Sequence, residues 1–483
     1  DVRRYAPLTR ADAVAALLRE TRTVAVVRPP ASALDRSPLR PPRGNATEAT
    51  AAAAATEADK KAFQQQQVRE GLELRGWWIQ EMLTTPTPLT ERMTLFWHNH
   101  FVSSQQKVKI ARLMYAQNVT LRANALGNFR TLLHAAARDP AMVVYLDSAQ
   151  NRRGAPNENF AREVMELFTL GEGHYGEQDI REAARAFTGW SIDRESGEFV
   201  FRRFLHDPGV KTVFGRSGRF DGDAVLNILL ARPETATFLT AKLWREFVSP
   251  EPDPVEVERI AKHFRESNYD LKIVLAELLT SDAFYAKENR GVLVKSPVEL
   301  VVGTLRQLDL DAAGAVPFAV AAASMGQNLM SPPNVKGWPG GETWINTTTL
   351  LARKQFLDRL LRADEPAAPA MTAAVPGNED AMAQNMLRKG GGIPKKAVAP
   401  SGLTDVDKMR QQRFLLQAER GIASIHFDSA RWIAQFPGAS AAERAQAAQR
   451  LVLATAPQHA PDYSADSLTF VRGLALDAAY QLK

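Results

Sequence analysis

The sequence predicts a mainly α-helical protein, a multi-helix, bundle-like domain with one small β-hairpin and two low-complexity insertions. Three observations predict it. Apolar residues recur at helical spacing through most of the chain, as in IREAARAF, where Ile180, Ala183, Ala184 and Phe187 share a face and Gly189 ends the run. Only EFVFRRFLHDPGVKTVFG joins alternating or branched apolar flanks to the turn chemistry of HDPG, which places the hairpin near 198–215. Residues 29–67 and 363–402 are rich in Pro, Ala, Gln and Gly and offer little to bury.

In chain order, residues 1–28 read as an N-terminal helical segment. The 29–67 insertion starts Pro-rich and flexible, then turns Ala/Gln-rich, as a polar helix leading into the fold would. Residues 68–362 form the main helical domain. In TPLTERMTLFWHNHF, Thr87 and Pro88 supply a helix start with proline where no N–H is needed. Leu89, Met93, Phe96, Trp97, His100 and Phe101 then line one face. Phe160, Val164, Leu167 and Phe168 do the same in NENFAREVMELFTLG, and Leu239, Leu243 and Phe247 mark another helix. VEVERIAKHF and DLKIVLAELL give two more. Residues 363–402 read as a flexible linker, and 403–483 as C-terminal helices packing on the main domain.

LGEGHYG matches G-x-G-x-x-G at Gly171, Gly173 and Gly176. A dinucleotide loop must follow a strand and open a helix, whereas a helical pattern precedes this one. The glycines therefore read as a helix stop, with Gln178 and Asp179 near the next helix start, and no nucleotide is expected.

Composition narrows the function classes. The 483 residues carry a net charge of +6 and no cysteine, with an isoelectric point of about 9.4. The charge is spread out, and Arg202-Arg203 and Lys395-Lys396 are isolated pairs, so nucleic acid is not an expected partner. Without cysteine there are no disulfides, thiolate metal sites, iron–sulfur clusters or cysteine nucleophiles. No apolar run reaches the length of a membrane span. The serine-esterase elbow G-x-S-x-G, the zincin H-E-x-x-H and the phosphate loop G-x-x-x-x-G-K-[ST] are missing.

Several residues could carry chemistry. His98 and His100 lie two apart, so on a regular helix they point nearly opposite ways. They could share a metal only if the helix ends near Asn99, and each alone suits a core histidine bonded to a carbonyl or carboxylate. Glu163 and Glu166 stand one turn apart beside Asn159 at the border of an apolar face. Such carboxylates suit a divalent metal (zinc, manganese, iron or copper) held together with imidazole, or salt bridges to Arg162, Arg181 or Arg185. Glu158 favours the helix N-terminus, and His206 with Asp207 is turn chemistry unless the hairpin folds over the helices as an acid–base pair. Trp338 and Trp344 stand on a stiff Pro/Gly loop suited to a substrate platform or to plugging a gap between helices.

Taken together, LTERMTLFWHNHF, PNENFAREVMELFTLGEGHYGEQDIREAARAFTGW, FLHDPGVKTVFG and SPPNVKGWPGGETWINTTTLLARKQF resemble the bacterial domain-of-unknown-function family numbered eighteen hundred, across most of 72–361. The resemblance implies an exported, periplasmic or extracellular, mostly helical protein with a phosphatase- or sulfatase-like protein as partner. It implies a segment upstream of DVRRYAPL as well. The family's histidine and glutamate blocks fall on His98, His100, Glu158, Glu163, Glu166, His206 and Asp207 and bring no assigned role with them.

Two readings follow. In the first, the protein is a metal-dependent hydrolase or oxidoreductase. Its metal sits on His98, His100, Glu163 and Glu166, and Glu158, His206 and Asp207 serve catalysis. In the second, it is a non-catalytic export partner or binding module whose His/Glu row is a structural polar network. The first requires Glu163, Glu166 and His100 to converge at the base of a pocket.

Overall fold

A computed structural model describes residues 5–36, 57–193, 195–312, 314–362, 420–422 and 425–483. The linker expected at 363–402 and residues 37–56 of the first insertion lie outside the described residues. The chain divides into two compact units, Asp1–Leu293 with Met330–Pro339, and Val294–Leu329 with Gly340–Lys483. The segment 68–362 contributes to both.

The first unit opens with α1 (Arg10–Arg19), started by the Thr9 hydroxyl, which accepts from Asp12 N. Next comes α2 (Glu57–Thr84). Residues 26 and 27 are fastened to α2 because the buried Glu81 carboxylate accepts their N–H groups at 2.8 and 2.7 Å, while Trp77 Nε1 donates to Val27 O at 3.0 Å. Then follow α3 (Pro88–His100), with proline in its first turn, α4 (Ala111–Asn124) and α5 (Phe129–Ala137). Asn128 caps α5 by accepting from Arg130 N and Thr131 N, and its own backbone bridges to Asp270.

A short helix (Pro140–Tyr145), capped by Asp139, and a loop lead to α6 (Asn159–Glu166) and α7 (Glu177–Ala186). Between them Gly171 and Gly173 take φ of +84° and +85°, where a β-carbon is unfavourable. At Gly171 that β-carbon would also strike the Phe238 ring at 2.9 Å. Gly176 N donates to the Asp179 carboxylate at 3.1 Å, so the last glycine belongs to a helix start.

The β structure is as small as expected, two two-stranded ribbons in a mainly helical fold, but neither turn falls on HDPG. β1 (Trp190–Ile192) pairs antiparallel with β2 (Phe199–Phe201), and β3 (Lys211–Val213) with β4 (Arg216–Gly218). HDPG lies in the link between the two ribbons. The turn of the second ribbon is Phe214-Gly215, with φ of +48° and +72°, the positive values a two-residue hairpin turn requires. HDPG cannot compete because the Asp207 side chain folds back to accept Gly209 N at 2.8 Å, closing a local turn with no flanking ladder.

The longer helices α8 (Gly222–Ala231), α9 (Pro233–Phe247), α10 (Pro254–Glu266) and α11 (Leu271–Thr280) follow, and then a single helical turn, Asp282–Tyr285. Asp221, Asp253 and Asp270 cap α8, α10 and α11. One continuous core runs through Met93, Trp97, Phe101, Phe129, Phe160, Val164, Phe168, Ile180, Leu239 and Leu275, all nearly inaccessible to solvent. These are the apolar stripes the helical periodicity picks out.

In the second unit α12 (Pro297–Gln307) begins with a reciprocal capping box, Ser296 Oγ to Glu299 N and Glu299 Oε2 to Ser296 N. α13 (Val316–Ser324), α14 (Thr347–Leu361), α15 (Ala441–Val452) and α16 (Ser467–Leu476) follow. Arg353 is completely buried on α14, donating from Nη1 to Gln481 Oε1 at 3.1 Å and from Nη2 to Lys295 O at 2.9 Å, while its Nε has no partner among the described residues. Arg472 on α16 reaches Asp358 on α14 at 2.9 Å.

Candidate functional site

α3 remains helical through His100, so His98 and His100 leave it in different directions, as the two-residue spacing requires. Both are buried. His98 lies between Trp78 and Trp338, with ring centroids 5.4 and 5.8 Å away, and its Nε2 has no hydrogen-bond partner among the described residues. Burial lowers its pKa to about 4, leaving it neutral at physiological pH.

His100 faces the core. Its Nε2 is 3.1 Å from Phe168 O, and a carbonyl can only accept, so Nε2 carries the proton. Nδ1 is then the acceptor for Lys242 Nζ, 3.0 Å away. Phe96, Trp97, Phe101, Phe129, Phe168 and Phe238 surround the ring at 4.6 to 6.4 Å. Burial first, then Lys242, holds the imidazole well below its ordinary pKa, against a smaller upward pull from the Phe168 carbonyl. Desolvation and Arg245 lower Lys242 to about 8. Lys242 has a faint signature in the sequence, since it stands beside the Leu239–Leu243 stripe, where a cation can bury its stem and reach inward.

Glu163 and Glu166 occupy the other side of α6. Glu166 accepts from Tyr175 OH at 2.5 Å and lies 3.7 Å from Lys336 Nζ. Burial first, then hydrogen bonding to Glu166, raises the Tyr175 phenol well above its ordinary value. Glu163 is pushed up by burial and by Glu166, with Lys336 and Arg162 pulling the other way. The arginines considered for this row pair elsewhere. Arg162 grips Glu177 through two bonds of 2.9 Å and approaches Glu158 at 3.6 Å. Arg181 donates to Gln178, and Arg185 joins Glu182 to Asp207.

The four candidate ligands therefore do not share a coordination sphere. Among the described residues, no three His, Asp or Glu side chains group closely enough to hold a metal ion. His206 and Asp207 do not form a pair either. His206 Nδ1 bonds to Thr188 O at 3.0 Å with its ring against Phe201, while Arg185 holds the Asp207 carboxylate at 2.8 Å and below its ordinary pKa.

Trp338 is anchored from α3. Asn99 Oδ1 accepts Trp338 N at 2.7 Å, and Asn99 Nδ2 donates to Trp338 O at 3.2 Å. Sequence reasoning passed over Asn99 because it stands between the two histidines. Trp344 belongs to the second unit, where it is buried. Gly337, at φ +82°, lets this clamp close, since a β-carbon there would lie 2.2 Å from Asn99 Oδ1 and 2.7 Å from Asn99 O. Gly337→Ala is expected to cost about 1–3 kcal/mol through strain and a broken clamp. Urea unfolding followed by tryptophan emission checks this, and an unchanged midpoint contradicts it.

A buried polar assembly around Glu91 includes neither glutamate of α6. Glu91 on α3 receives Arg122 Nη2 and Trp78 Nε1, each at 2.9 Å, and Arg122 Nη1 donates to Asn118 Oδ1 at 2.7 Å. Glu91 and Arg122 side chains are only 4% and 1% exposed, so this is a fully desolvated ion pair locking α3, α4 and α2. In the sequence Glu91 looks like an ordinary first-turn acid.

Among the described residues, no helix is long and apolar enough to cross a membrane. No curated protein and no solved structure matches the chain. The profile of the family described as "Protein of unknown function (DUF1800)" matches residues 1–479, and with nearly the whole length covered the chain belongs to that family.

Proposed function

We propose that this chain is a non-catalytic, exported binding module for a phosphatase- or sulfatase-like protein partner. In this reading its His/Glu row is part of the packing. One observation carries it: both ring nitrogens of His100 are engaged, with Phe168 O and Lys242, inside a wall of aromatic rings. A metal or substrate could reach that imidazole only by breaking both bonds and opening the core. Glu166 supports the reading, because its bonds go to Tyr175 and Lys336 rather than toward a histidine. The metal-dependent hydrolase or oxidase needs Glu163, Glu166 and His100 to converge, and the geometry does not favour it.

Elemental analysis of the purified protein, before and after reconstitution with zinc, manganese, iron or copper, tests the proposal beside Glu163→Gln. No stoichiometric metal is expected in either protein. One metal per chain, lost in a variant still folded by circular dichroism, would overturn the module reading.

A further inference from the structure

The second ribbon has one covered edge and one open edge. On the covered side, Thr212 N donates to Glu182 of α7 at 3.0 Å and Phe214 N to Asp179 at 2.7 Å. On the open side lies β4, with Arg216 and Ser217 exposed. In a two-residue hairpin the pair flanking the turn is hydrogen-bonded, so the next pair points its backbone groups outward. That pair is Thr212 and Ser217, and the bond from Thr212 N to Glu182 agrees. Ser217 thus presents its N–H and C=O to an incoming strand.

β4 runs into a depression of about 370 Å³ lined by Arg153, Asp207, Pro208, Gly209, Val210 and Arg219. Its one carboxylate is already neutralised by Arg185 and bonded to Gly209 N. The side chains of Arg153, Arg216 and Arg219 are exposed and have no hydrogen-bond or ion-pair partner among the described residues. Arg153 N donates to Leu205 O at 2.7 Å, which sets the short turn carrying Phe204 beside it. Phe204 and Val210 are 77% and 58% exposed. Free guanidinium forks, an open strand edge and projecting apolar side chains therefore occur together.

Resting on the binding-module reading and naming its surface, we propose that this face takes an extended, acidic segment of the partner protein. The segment pairs along β4 and places carboxylates on Arg153 and Arg219 and an apolar side chain on Phe204 and Val210. An anionic membrane would meet the arginines equally well, but it has no backbone to offer the strand edge, and that favours a peptide.

Fluorescence anisotropy with a labelled heptapeptide alternating Glu and Val, titrated with the full chain, tests this. Saturable binding is expected, weakened at least about tenfold by Arg153→Glu with Arg219→Glu, and weakened again by Phe204→Ser. A Lys/Val peptide should not bind. The control pair Arg19→Glu with Arg265→Glu, exposed residues outside this lining and an equal change of charge, should stay within about twofold. No saturable binding, equal loss in the control pair, or retention by phosphatidylserine vesicles without peptide binding would overturn the proposal. Such a failure in metal-free protein removes this surface alone, whereas a stoichiometric metal lost in Glu163→Gln removes the module reading itself.

Discussion

Glu91→Gln is expected to destabilise the protein by about 3–5 kcal/mol, because it strands the Arg122 guanidinium in a desolvated core. Arg122→Met should cost a similar amount by stranding the carboxylate. The Glu91→Leu, Arg122→Met double variant should cost clearly less than the Glu91→Leu and Arg122→Met singles combined. It still leaves Trp78 Nε1 and Asn118 Oδ1 without their present partners, at about 1–3 kcal/mol each. A double-mutant cycle from urea midpoints measures the difference. Additive singles would mean that Glu91 and Arg122 do not act as a unit.

The second large effect is acid sensitivity centred on His98. Its folded pKa of about 4 lies below the ordinary 6.5, so between these values the unfolded chain binds more protons. Stability from this group is complete above pH 6.5 and is lost as pH falls toward 4, by on the order of 3 kcal/mol. His100 is depressed in the same direction. Asp139 opposes both, since burial pushes its carboxyl up to about 7 and stability from it declines as pH rises from 3.8 to 7. Comparing His98→Phe with the parent isolates the His98 contribution. The variant should match or slightly exceed the parent at pH 7.5, having lost an unpaired buried nitrogen, and clearly exceed it at pH 4.5. Parallel stability–pH curves would refute the assignment.

Particular residues show how far the sequence could be read. Met93, Trp97, Phe160, Val164, Ile180 and Leu239 are buried where helical spacing puts them, because a helix hides one stripe whatever it packs against. The opposed directions of His98 and His100 follow from the same periodicity once α3 is known to continue to residue 100. Strand pairing was harder to read. HDPG and Phe214-Gly215 both supply turn residues; Asp207 closes HDPG into a local turn, while Thr212 N and Phe214 N of the second ribbon are held by Glu182 and Asp179, some thirty residues upstream on α7.

By itself the sequence determined the mainly helical class, the core stripes, the place of the glycines between two helices rather than after a strand, and the absence of any thiol chemistry. Each of these follows from local periodicity, backbone freedom or composition. Only the tertiary structure decided which polar groups meet. It joined Lys242 to His100, Glu91 to Arg122 and Tyr175 to Glu166, and left His98 Nε2 without a partner among the described residues. A histidine or carboxylate reads the same in sequence whether it binds a ligand or fills a core. The difference lies in the partners and the burial that other helices bring to it.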